Sequence, residues 1–179
     1  MGGAVPRPSS LMPRQQGRTV ADSTVDMVEL VLPNDANPMG NILGGRVMHL
    51  IDIAGGIAAT RHSRHVVVTA SVDYLDFVHP IRVGQLIRLK AFVTRVFRTS
   101  MEVEVCVLRE DFKTGDLRQT SAAFVTYVAL DDEGRPVPVP PLILKTAEER
   151  RRHRDALKRR RARLAMAAGA HRRYFDRET

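Results

Sequence analysis

One helix-length run among five strand-length ones limits what this chain can fold into. From Val47, apolar residues recur at Leu50, Ile51, Ala54, Ile57 and Ala58, which places them on one face of an α-helix. The run covers roughly residues 46 to 62, about 25 Å at 1.5 Å per residue. Ala54, Gly55, Gly56, Ala58 and Ala59 let another element approach it closely, and Arg61, His62 and Arg64 suit the negative end of its dipole. Ahead of it, Val25 to Leu32 alternates like a strand and stops at Pro33. Behind it, Val66 to Phe77, Gln85 to Phe97, Met101 to Glu110 and Leu117 to Leu130 are rich in Val, Ile, Thr, Phe and Tyr and are divided by turn-forming segments. One helix can cover one face of one antiparallel sheet, so the expected class is α+β. The first strand has to pair non-locally across the helix, and the small residues suggest a sheet curled tightly around it.

The flanks differ from this centre. Residues 1–22 are rich in Gly, Pro, Ser and Arg, lack periodicity and read as a disordered leader. Residues 23–143 form the domain proper. After the Pro-rich stretch at 136–141, Thr146 with Glu149 forms a capping box and opens a basic helical tail, residues 144–179. The net charge of +8 resides in that tail: Lys145 to Thr179 holds 13 basic and 5 acidic residues, and the other 144 residues hold 15 of each. Three readings of the tail stay open: contact with nucleic acid or an anionic membrane, a helix laid against neighbouring subunits with its arginines near a bound anion, and, the favoured one, a solvated extension laced with local ion pairs; the apolar side (Ala156, Leu157, Leu164) is too thin for a membrane helix. No apolar run is long enough for a membrane helix or a signal peptide, and the lone Cys106, in the alternating VEVCVLRE, has no disulfide partner in the chain and reads as a small strand residue. These features give a cytoplasmic reading.

Chemistry concentrates between Leu32 and Asp52, LPNDANPMGNILGGRVMHLID. A polar loop ending in two glycines at a helix start can present backbone N–H groups to an anion, and a carboxylate a few residues upstream can act beside it. No His, Asp and Glu set has metal-ligand spacing, so no metal is expected.

This loop, the helix VMHLIDIAGGIAATRH, the strand entry TASVDYLDFVHPIRVGQLI, the run RTSMEVEV and the segment TSAAFVTYVALDDEGRPVPVPPL together resemble the hotdog-fold acyl-CoA thioesterases, nearest the brain-type acyl-CoA hydrolase and its single-domain bacterial relatives. The likeness covers roughly residues 25–143 and leaves the leader and tail outside. It implies a single hotdog domain, an antiparallel sheet wrapped around a long central helix. It also implies homo-oligomers (dimers, often trimers of dimers), active sites at the dimer interface, and hydrolysis of acyl-CoA by an enzyme that needs no cofactor, CoA being part of the substrate.

Each candidate residue has a functional and a structural reading. Asp35 is a turn residue by spacing alone; the resemblance makes it the general base, or a nucleophile, for water attack on the thioester. Asn37 either holds the water or the carbonyl with its amide, which the resemblance implies it does from the opposite subunit, or simply shapes the turn before Pro38. Gly44 and Gly45 either offer an oxyanion site or merely start the helix. Asp52, inside the helix, reads as a partly buried acid paired with an arginine or with backbone, since a loop carboxylate makes a second acid redundant. Arg98, Thr99 and Ser100, a turn between two long strands, are candidates for CoA phosphates, as are Arg61 and Arg64. His79, in a turn after the second strand, either lies near the pantetheine channel or is simply structural. Two other functions compete with hydrolysis. A non-catalytic acyl-CoA sensor would use the basic tail on nucleic acid, a partner disfavoured by the lack of any helix-turn-helix pattern. A hotdog dehydratase would need a catalytic histidine, and the 33–45 loop has none.

Overall fold

The computed structural model describes residues 16–174, with side chains to residue 168. In chain order the elements are β1 (Arg18–Thr19), β2 (Val25–Leu30), α1 (Gly44–Ser63), β3 (Val66–Asp73), β4 (Leu86–Val96), β5 (Ser100–Glu110), β6 (Leu117–Leu130), β7 (Leu142–Ile143) and α2 (Ala147–Tyr174). β2 to β6 form one antiparallel sheet in the order β2-β4-β5-β6-β3, so β2 and β3, which flank α1 in sequence, sit at opposite edges. α1 therefore has to cross the sheet face. β2 makes the expected non-local pairing, from Val25 against Ala91 to Leu30 against Leu86.

Alternation supplies the core. Leu89, Ala91 and Val93 of β4, Met101, Val103, Val105 and Val107 of β5, and Ala123, Val125, Tyr127 and Ala129 of β6 point inward onto Val47, Leu50, Ile51, Ala54 and Ala58 of α1. α1 ends at Arg64, whose left-handed conformation (φ 61°) lets its N–H reach the Thr60 carbonyl. It starts at Gly44, two residues before the start expected from periodicity, so both glycines belong to its first turn.

Two further boundaries differ from expectation. β3 stops at Asp73, because Tyr74 takes a positive φ (49°) and turns residues 75–81 back across the start of α1. Of the expected leader, residues 1–15 lie outside the described residues, but Arg18–Thr19 pairs in parallel with Leu142–Ile143 and Val20 is buried. Arg18 ties this segment down by donating to the Arg61 carbonyl at 2.8 Å, near the C-terminal end of α1.

From Arg152 to Arg163 the basic tail is docked on the protein and is not a solvated extension. α2 lies on the outer face of the sheet and buries Ala156 against it. Arg152 meets Glu104 at 3.2 Å, Arg159 meets the buried Glu102 at 2.7 Å, and Arg163 pairs with Asp73. Arg152, Arg159 and Arg160 also cover the rings of Phe92, Phe124 and Phe97 at 4.7, 3.6 and 4.3 Å. The expected local pairs, such as Arg151 with Glu148, occupy the outward side.

Candidate functional site

Two clefts flank the first turns of α1. The first, about 320 Å³, is lined by Asn37, Gly44, Phe77, His79, Thr120 and Ser121 among others. The second, about 390 Å³ and mostly apolar, is lined by Gly45, Met48, His49, Asp52, Thr69 and Leu75 among others. The two glycines thus open onto different clefts. Neither of their N–H groups has an acceptor among the described residues, as expected for the first turn of a helix whose N-cap, Leu43, has no polar side chain.

The 33–43 loop is tightly stitched. Asn37 Oδ1 accepts from the N–H groups of Met39 (3.0 Å) and Asn41 (3.2 Å), which forces the turn and leaves the Asn37 amide NH2 for the cleft. Gly40 supplies the positive φ (75°) that closes the turn, and its carbonyl accepts from Val83 at 3.0 Å. Bridges from Asn41 to Arg82 and from Ala36 to Ile42 complete the frame.

Asp35 lies in a 3₁₀ turn, Pro33–Asp35, and lines neither cleft. Arg46 sits between two acids: its Nη2 donates to Glu29 at 2.8 Å, and its Nε is 3.2 Å from Asp35 Oδ1. The second contact is Coulombic only, since Nε finds no aligned acceptor.

Asp52, passed over in the sequence as an acid paired with arginine or backbone, has a different partner. The Thr69 hydroxyl donates to its Oδ1 at 2.5 Å. The Tyr127 hydroxyl donates to its main-chain oxygen at 3.0 Å and lies 3.5 Å from Oδ1. The β3–β6 register sets Thr69 opposite Tyr127 with both facing α1, and a bulge follows immediately between Thr69 and Ser71. Burial, reinforced by the neighbouring Asp52 carboxylate, keeps the Tyr127 phenol protonated far above its ordinary range. One signal for Asp52 was present in the sequence: it is the only acid between Gly44 and Ser63. Thr69 had none, because its role depends on strand register.

The fold thus gathers Asn37, Gly44 and His79 on one side of α1 and Gly45, Asp52 and Thr69 on the other. Arg98, Thr99 and Ser100 are elsewhere. They form the β4–β5 turn at the far end of the sheet, where the Arg98 carbonyl accepts from Val139 and the Thr99 carbonyl from Ala129, each at 3.0 Å. Arg61 and Arg64 lie at the C-terminal end of α1, also away from both clefts.

A model of the thioesterase superfamily matches residues 39–115. The uncharacterized acyl-CoA thioester hydrolase YkhA of Bacillus subtilis is 39% identical over 148 residues, covering 83% of this chain and 86% of that protein. The chain belongs to the acyl-CoA thioester hydrolases of the thioesterase superfamily. Its architecture is the hotdog fold of that family. The crystal structure of an apo-hexameric acyl-CoA thioesterase superposes with a TM-score of 0.83 at 40% identity, covering 86% of this chain and 98% of that one. The acyl-CoA hydrolase of Staphylococcus aureus, solved with butyryl-CoA, CoA and CoA disulfide, superposes with a TM-score of 0.81 at 31% identity, covering 86% and 93%. Three further structures of that enzyme carry alanine in place of an asparagine, an aspartate and a threonine. The asparagine and aspartate lie 15 positions apart, and the aspartate and threonine 17. No helix among the described residues of this family member is long and apolar enough to cross a membrane.

Proposed function

We propose that this chain hydrolyses acyl-CoA thioesters to a free fatty acid and CoA, with Asp52 activating the attacking water. The observation that carries this reading is the Thr69 hydroxyl on the Asp52 carboxylate, beside an apolar cleft that opens at the first turn of α1. The Staphylococcus aureus variants support it: the same spacings of 15 and 17 positions run here from Asn37 to Asp52 and from Asp52 to Thr69. Asp35, held against Arg46, stabilises the loop in this reading and does not act on substrate.

In the proposed reaction the acyl chain enters the apolar cleft and the thioester carbonyl stops near the start of α1. Asp52, oriented by Thr69, takes a proton from water as the water oxygen bonds to the carbonyl carbon. The oxygen that becomes negative is stabilised at the first turn of α1 on the side of Gly45, which lines this cleft, where a free N–H donor and the helix dipole favour charge. The C–S bond then breaks and CoA leaves as a thiolate, a good leaving group that needs little help. Asn37 offers its free amide to the water or the carbonyl. It lies in the other cleft, so we place the Asn37 that serves Asp52 on a second subunit. Support for such a pairing comes from β3, whose outer edge meets no strand among the described residues, and from Met48, Ile53 and Ile57, which leave one side of α1 exposed and apolar. The hexameric relative favours a dimer that assembles further. His79 borders the Asn37 cleft, where pantetheine would pass.

The sensor alternative loses its main support, because Arg152, Arg159 and Arg163 of the tail are spent on the protein's own sheet. The test is release of free thiol from a series of acyl-CoAs of increasing chain length. Wild type should turn over, and Asp52→Asn should lose on the order of 10²–10⁴ in kcat, the usual worth of a general base. An Asp52→Asn variant within tenfold of wild type refutes this assignment.

A further inference from the structure

Tyr127 is the only tyrosine buried in the core among the described residues, and its hydroxyl does something that packing does not require. The ring fills space between the sheet and α1, a task that phenylalanine would perform equally well. The hydroxyl instead needs a partner and finds one on a helix carbonyl already engaged in the α-helical pattern, the main-chain oxygen of Asp52 at 3.0 Å. A carbonyl has two lone pairs and can accept both donors.

This approach exists only because α1 is notched. A Cβ at residue 55 would stand 2.4 Å from the Tyr127 hydroxyl oxygen and 3.0 Å from its ring carbons, so Gly55 is the residue that admits the hydroxyl. A glycine inside a helix is less favourable than alanine, so the notch lowers the stability of α1. Tyr127 and Thr69 face each other across the β6–β3 pair and converge on one residue, the hydroxyl of Thr69 on the carboxylate and that of Tyr127 on the backbone of Asp52.

We propose that Tyr127 is a positioning residue for the reaction. With Thr69 it fixes where Asp52 stands and how its carboxylate is aimed, and Gly55 is open to let it do so. This rests on Asp52 being the reacting carboxylate. Tyr127 touches neither water nor thioester; it acts through Asp52.

The test compares Tyr127→Phe, Gly55→Ala, the double variant and Asp52→Asn in the thiol-release assay, with thermal unfolding of each. Tyr127→Phe keeps the ring and the core volume. Its kcat should fall roughly three- to tenfold, the scale of one lost orienting hydrogen bond, with KM within about twofold of wild type. A purely structural tyrosine would leave kcat at the wild-type value whatever happened to the melting temperature. Gly55→Ala should lower both stability and kcat, and adding Tyr127→Phe should raise the melting temperature part of the way back, because it removes the oxygen at 2.4 Å while the ring carbons at 3.0 Å remain. A wild-type kcat in Tyr127→Phe, or a double variant no more stable than Gly55→Ala, overturns the inference. If Asp52→Asn is inactive in the same experiment, only the positioning role has failed. If Asp52→Asn keeps wild-type kcat, the reading of Asp52 falls and this inference with it.

Discussion

Replacing Arg159 with methionine tests how α2 is held. The carboxylate of Glu102 is 1% exposed, packed between the sheet and the helix. Arg159 grips it with two nitrogens, Nη2 to Oε1 at 2.7 Å and Nε to Oε2 at 3.2 Å, and the Thr94 hydroxyl adds a third donor at 2.6 Å. Methionine keeps the apolar stem over Phe124 and removes the guanidinium, leaving a buried charge with one neutral donor. Breaking a buried pair in this way costs about 3–5 kcal/mol. Arg159 is itself 25% exposed, so water can reach the gap and the lower end, about 3 kcal/mol, is the better figure. For a domain of this size, each kcal/mol moves the melting temperature by about 2–4 °C, so Arg159→Met should melt roughly 6–12 °C lower. The measurement is thermal unfolding by circular dichroism at pH 7, with every variant at the same protein concentration, because subunit association would also raise the midpoint. Arg159→Met with Glu102→Met removes both charges and should recover most of the loss. A single variant that melts within about 2 °C of wild type, or a double variant as unstable as the single, would refute the view that this pair carries the docking of α2.

Asp35→Asn should change kcat less than tenfold, since Arg46 retains Glu29 and the loop keeps its backbone bonds; a loss matching that of Asp52→Asn would return the role of base to Asp35. The Cys106 thiol is pushed up to about 11, by burial first and by Glu104 second, so in the folded protein at pH 7–8 it should react slowly with thiol reagents and without loss of activity. Rapid labelling that matches the unfolded chain would contradict this. His62 is buried, with Nε2 3.0 Å from the Pro140 carbonyl, and burial is the main cause holding its imidazole below the ordinary value of about 6.5. The unfolded chain therefore binds the proton first, and stability should fall as pH drops below about 6.5, by at most about 1.4 kcal/mol per pH unit from this group. His62→Gln, which can still donate to Pro140, should flatten that limb in urea titrations between about pH 7 and 5; part of the slope should remain, because burial depresses His153 as well. An unchanged limb in His62→Gln would remove His62 as its source.

Much of the architecture was legible in the sequence because periodicity acts locally. The spacing of Val47, Leu50, Ile51, Ala54 and Ala58 marked α1, alternation marked the strands, and the thioesterase resemblance of the 32–52 segment stands with the family. The small residues of α1 already implied a close neighbour, which is the ring of Tyr127 against Gly55. The Arg152, Arg159 and Arg163 stripe of α2 has helical spacing that could have been read as one docking face, but its acceptors could not. Glu102, Glu104 and Asp73 lie on two different strands, 48 to 90 positions away, and only strand order brings them under one helix.

The site divides in the same way. Loop chemistry, a turn-making Asn37, a positive-φ Gly40 and a helix opening on two glycines, follows from residue types in a short window, and the sequence alone determined it. Which carboxylate meets an arginine and which meets a hydroxyl does not. Arg46 reaches Asp35 from the first turn of α1, and Thr69 reaches Asp52 from an edge strand 17 positions further on, at a register set by β3 pairing with β6. Hydrogen bonds and ion pairs between such segments depend on distances of a few ångströms that no spacing along the chain encodes, so the different surroundings of the two acids were decided by the tertiary structure.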